Sequence, residues 1–148
     1  MLITVLKSVF NEDLNKLRSE IEHYKDEKNL WLIEHEIKNS AGNLCLHLIG
    51  NLNGLIGAVL GETGYIRQRD LEFSSKNIPK SELLLQIEET IAMVHSSLDK
   101  VKESELQDEY PLRVFPESHT KAYYLIHLAT HLNYHLGQIN YHRRLLDK

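Results

Sequence analysis

Tyr124-Leu-Ile-His127-Leu-Ala-Thr-His131-Leu-Asn-Tyr-His135-Leu-Gly-Gln138 reads as a helix with histidines along one line. Tyr124, Leu128, His131, His135, Gln138, His142 and Leu145 recur at three- and four-residue spacings, which predicts a helix over about residues 119–146. His131 and His135 are one turn apart, so their imidazoles can converge on one ion. Neutral nitrogen donors suit zinc, nickel, copper or iron. Two donors do not complete a site, so a third has to come from another element.

Three other segments carry the helical period. Residues 2–23 place Leu2, Val5, Leu6, Val9, Phe10, Leu14, Leu17 and Ile21 at three- and four-residue spacings, an amphipathic stripe. A second helix is expected from Asn39-Ser40, either of which can cap its first turn, to about Gly61. It holds Gly42, Gly50, Gly54 and Gly57, a concentration that signals close helix approach or room for a ligand. A third is expected over residues 79–103, opened by Pro79. Between the first two lies the run Leu30-Trp-Leu-Ile33, too short for a helix with its own face, with Trp31 expected to cap the core. No strand alternation or internal repeat is present, so the chain reads as all-α and as one domain over residues 1–148. The links from Gly61 to Pro79 and from Glu103 to Ser118 are each long enough to run the length of a bundle. A long crossover between the second and third helices is therefore expected.

Composition excludes several classes. A net charge of −4 over 148 residues, with only Arg143-Arg144 as a basic pair, gives no electrostatic footprint for nucleic acid. No apolar run approaches the roughly 18 residues that span a membrane. The N-terminal stretch lacks the basic segment and cleavage site of a signal peptide. Cys45 is the single cysteine, flanked by leucines, and is expected to be a buried inert thiol in a cytoplasmic protein.

His47 is the best candidate for the third donor, because it sits on the apolar line of Leu44, Asn51 and Leu55 in the second helix. His127 and His142 compete for the role. His127 to His135 spans about 12 Å along a helix axis, so both cannot easily join His131 at one ion. His127-His131 remains an alternative pair, and His142, two turns beyond His135, reads as pocket lining or interface. Gln138 can bond a ligand imidazole or a substrate, and Asn51 belongs with it among the pocket candidates. His23, His35, His95 and His119 have no convergent partners and read as ordinary surface or loop residues.

His131-Leu-Asn-Tyr-His135-Leu-Gly137-Gln138 resembles the His-x-x-x-His-x-Gly-Gln signature of the DinB/YfiT-like metalloenzyme superfamily. Asn39-Ser-Ala-Gly-Asn-Leu-Cys-Leu-His47-Leu-Ile-Gly-Asn51 is similar to the segment around that family's first ligand histidine, and residues 83–92 look like its third helix. The resemblance implies a four-helix bundle with up-down-down-up connectivity and frequent homodimers. It implies a divalent metal, commonly zinc or nickel, on His47, His131 and His135. Characterised members include thiol-dependent S-transferases and isomerases.

Three protein nitrogens leave an open position, the arrangement of a catalytic rather than a structural metal. The expected reaction is a metal-assisted transfer in which a small-molecule thiol attacks an electrophile; hydrolysis uses the same first shell. No carboxylate falls on the stripe from His131 to Gln138, so His142 or the metal-bound group is expected to serve as base. The rival class is a non-catalytic, stress-related bundle that binds metal and acts by dimerisation or partner binding. A bundle with three hydrogen-bonded core histidines and no metal is the third reading.

Overall fold

The apolar stripe of the N-terminal segment forms helix α1, Leu2–Glu22, and buries Leu6, Phe10, Leu14, Leu17 and Ile21. The computed structural model describes residues 1–148 and is all-helical, with five α-helices and no strand. Helix α2, Ala41–Leu52, starts where the Ser40 hydroxyl accepts the Asn43 amide at 3.2 Å, and every residue in it is buried. It runs on into a wider π-type turn at Asn53–Ala58, a geometry that often accompanies functional sites. Helix α4, Lys80–Asp99, follows Pro79, and helix α5, Lys121–Leu146, is capped by the Thr120 hydroxyl on the Tyr123 amide. The link between α2 and α4 contains a short helix that the periodicity does not reveal: α3, Arg69–Ser74. Six residues are too few to display an amphipathic repeat.

The four long helices share one core. Helix α1 packs on α4 and α5, and α2 packs on the same two helices from the other side. Cross-helix pairs give the relative directions. Lys7 pairs with Asp99 and Arg18 with Glu88, so α1 and α4 run oppositely. Asn133 donates to Asp13 at 3.0 Å and Arg143 to Glu20 at 2.6 Å, so α1 and α5 run the same way. Asn53 meets Thr90, and Lys100 reaches the Gly61 carbonyl, which sets α2 and α4 in one direction.

Two ties hold α5 in place. The Asp147 carboxylate, itself buried, accepts the Lys25 amide at 2.6 Å and the Asn29 side chain at 3.0 Å. At the other end Tyr110 stacks on Tyr124 with centroids 4.1 Å apart and donates its hydroxyl to the Leu55 carbonyl. Trp31 is half-buried against the core and lies over Gly42, where a side chain would come within 2.7 Å of the indole. No helix is long and apolar enough to cross a membrane.

Candidate metal centre

His47 on α2 and His131 and His135 on α5 turn their imidazoles toward one point. The three donor atoms lie within 4.8 Å of one another. His131 Nε2 is 3.2 Å from His47 Nε2 and 3.2 Å from His135 Nε2. Two nitrogens bound to one ion at about 2.1 Å, at a tetrahedral angle, stand about 3.4 Å apart. The observed spacing is close to that value.

The outer nitrogens identify the tautomers. His47 Nδ1 is 3.0 Å from the Glu72 carboxylate and His135 Nδ1 is 2.7 Å from Gln138 Oε1, so both rings donate outward. Their Nε2 lone pairs therefore face inward, toward His131. Arg67 Nη2 also lies 3.4 Å from His47 Nδ1, but it is a donor facing a donor, so the Glu72 bond decides the ring's proton. His131 Nδ1 is buried without a partner. Two inward lone pairs opposite a third imidazole, which can offer at most one proton, form a donor set that a cation satisfies and a proton does not. The three histidines can hold a metal ion.

Glu72 is delivered by α3 and only 6% exposed. Arg67 clamps it in a two-pronged contact, Nε to Oε2 and Nη2 to Oε1, both 2.9 Å. Neither residue falls on a helical stripe, which is why the sequence pattern omits them. The usable signal is on α2 instead: Gly50 follows His47 by three residues. A Cβ on Gly50 would overlap the Glu72 carboxylate, and one on Gly54 would press on Arg67 Cδ at 3.1 Å. The glycines of α2 and of the π-type turn that continues it thus serve two ends. Gly42 and Gly57 admit Trp31 and Met93 to close packing, while Gly50 and Gly54 clear space for the Glu72–Arg67 pair. Gly137 is different: a Cβ there would meet nothing within 4 Å, so close packing does not explain it.

The remaining candidates divide. Gln138 bonds His135, and Asn51, 7% exposed, lines a cavity of about 210 Å³ beside His47 and His131. The Asn51 carbonyl oxygen is buried without a partner. His127 lines that cavity as well, but its ring lies against Phe115 at 4.9 Å and its nitrogens do not join the three-histidine cluster. His135 and Gln138 border a separate, broader recess of about 770 Å³. His142 borders that recess, yet it cannot serve as a base. Its Nδ1 accepts the Tyr24 hydroxyl at 2.7 Å and its Nε2 donates to the Leu32 carbonyl at 2.9 Å, so both nitrogens are committed. The carboxylate nearest the centre is Glu72, not a residue of α5. Cys45 is fully buried and its thiol is pushed up to about 12, which makes it inert.

Burial, with lesser contributions from His135 and His47, pushes His131 down to about 4. Burial also holds His47 low against the pull of Glu72. Both rings are therefore neutral at pH 7, the form that binds metal. A histidine with a depressed folded-state value takes up its proton in the unfolded chain first. Stability is then complete above about pH 6.5 and falls as pH drops toward 4. Chelator-treated protein should accordingly lose thermal midpoint steadily across that window, and a midpoint flat from pH 6.5 to 4.5 would contradict the buried-neutral assignment.

No curated protein matches the chain. Residues 3–148 match the model of the DUF1572 family, described as proteins of unknown function, and the chain belongs to that family.

Proposed function

We propose that this protein is a metal-dependent enzyme of the DinB/YfiT-like type, with one divalent ion, zinc or nickel, on His47, His131 and His135. The observation that carries the reading is the inward convergence of the Nε2 atoms at 3.2 Å while Glu72 and Gln138 hold two rings from outside. The directions of the cross-helix pairs support an up-down-down-up four-helix bundle, with α3 carried on the crossover from α2 to α4.

A divalent ion held by His47, His131 and His135 would supply Lewis acidity, lowering the proton affinity of a thiol or water bound to it. The protein's residues do the rest. Glu72 accepts a hydrogen bond from His47 Nδ1 and fixes that ring's orientation, and Arg67 holds Glu72 in place. Gln138 does the same for His135 with a neutral acceptor. The cavity lined by His47 and His131 and the recess lined by His135 leave the histidines approachable, which favours catalysis over a closed structural site. The reaction class is a thiol S-transfer to an electrophile, in a cytoplasmic protein.

A second reading, a non-catalytic metal-binding dimer, draws on Tyr134, Tyr141 and Leu145. These apolar side chains are exposed by 65%, 62% and 56% along one stretch of α5 and suit a second copy of the chain.

Two measurements separate the readings. Elemental analysis of tag-free protein should return about one transition-metal ion per chain; a clean zero from metal-replete growth removes the metal from either reading. Thiol consumption with monochlorobimane should be catalysed and should stop on chelation. Metal without any thiol turnover favours the non-catalytic dimer.

A further inference from the structure

The cavity of about 210 Å³ on the His47–His131 side is lined by two guanidinium groups and by no negative side chain. Arg67, Arg69 and three histidines contribute to it, together with Asn51, and no carboxylate does. The charge of Arg67 is largely met by Glu72 outside the lining. Arg69 is not matched in this way: it is exposed, lies over the Phe73 ring at 5.2 Å, and has no carboxylate partner. The rest of the lining is apolar: Leu55, Leu128, Val114 and the rings of Phe115 and Tyr124. Asn51 also lines the cavity, with its buried side-chain carbonyl oxygen unpartnered. The volume lies below the roughly 300–1,000 Å³ of sites for drug-sized ligands.

We propose that this cavity is a subsite for a small organic carboxylate with an apolar body, its charge held by Arg69 and its body laid against Phe115 and Leu128. The assignment rests on the histidine centre being the reaction site, and it names the class of molecule presented there. A guanidinium without a partner recognises a carboxylate through paired N–H donors. The apolar wall rewards a hydrocarbon or aromatic body, which an inorganic anion lacks.

Benzoate is the probe, titrated calorimetrically into zinc-loaded and into chelator-treated protein, beside uncharged benzamide and inorganic phosphate. Benzoate is expected to bind both forms, with benzamide and phosphate each at least about tenfold weaker. Arg69→Gln should weaken benzoate about tenfold, and Arg69→Lys should recover part of the loss. Arg69 is exposed, so neither change threatens the fold.

Benzoate binding that ignores Arg69→Gln and disappears on chelation would overturn the subsite, since the carboxylate would then be held by metal alone. Phosphate binding as tightly as benzoate would also overturn it, as a generic anion patch. The two proposals fail separately. Protein that retains zinc but shows no Arg69-dependent benzoate binding loses the subsite only. Arg69-dependent binding by protein that never retains metal supports the subsite and removes the metalloenzyme.

Discussion

His135→Ala is expected to abolish metal retention, while His95→Ala leaves about one ion per chain. The two histidines differ in setting rather than in type. His135 brings its Nε2 to within 3.2 Å of His131 Nε2 and is oriented by Gln138. His95 is a surface residue with a side chain 65% exposed and Asp99 as its neighbour at 3.4 Å. Removing one of three donors leaves a two-histidine remnant that cannot hold a transition metal through purification. His135 is half-buried at the edge of the core, so the variant should still fold. Circular dichroism checks the fold and elemental analysis reads the metal. Equal retention in both variants would show that the ligand set is wrong.

Gly50→Ala is the more discriminating change, because helix propensity and site geometry predict opposite results. Alanine in a helix interior is favoured over glycine by about 1 kcal/mol. A methyl group at this position, however, overlaps the Glu72 carboxylate. Glu72 must then withdraw from His47 Nδ1 and from Arg67, and the ring loses its outer anchor. Loss of an outer partner of a ligand imidazole weakens metal affinity by about 10–100-fold. Gly137→Ala is the matched control. It adds a methyl group next to Gln138 in the sequence, where nothing lies within 4 Å, and should gain stability with unchanged metal affinity. Competition against a chromophoric chelator measures both. Gly50→Ala with undiminished affinity would remove Glu72 from any role in holding His47.

The four long helices were legible because each carries a stripe that repeats for several turns. Phe10, Leu14, Leu17 and Ile21 on α1, and Leu83, Ile87, Val94 and Leu98 on α4, are apolar where the helical period puts them inside, and all are buried. One cap was nearly as legible: of Asn39 and Ser40, Ser40 starts α2 by chemistry that acts within three residues, whereas the Thr120 cap of α5 was not read from the sequence. His131 and His135 were legible as a pair for the same reason: a spacing of one turn is a local quantity.

What local spacing could not supply is everything that arrives from a distant segment. His47 and His131 are 84 residues apart, and their meeting depends on how α2 crosses α5. His142 shares a helical line with the ligands, yet Tyr24 and the Leu32 carbonyl, far away in the chain, commit both its nitrogens. Glu72 is the clearest case. It looks like one more acidic residue in a polar link, and only the packing of α3 on α2 buries it against His47 and pairs it with Arg67. Periodicity reports which face of a helix is buried, because burial acts on every turn of that face. Which polar groups meet there is decided by the register between helices, and no single segment contains that information.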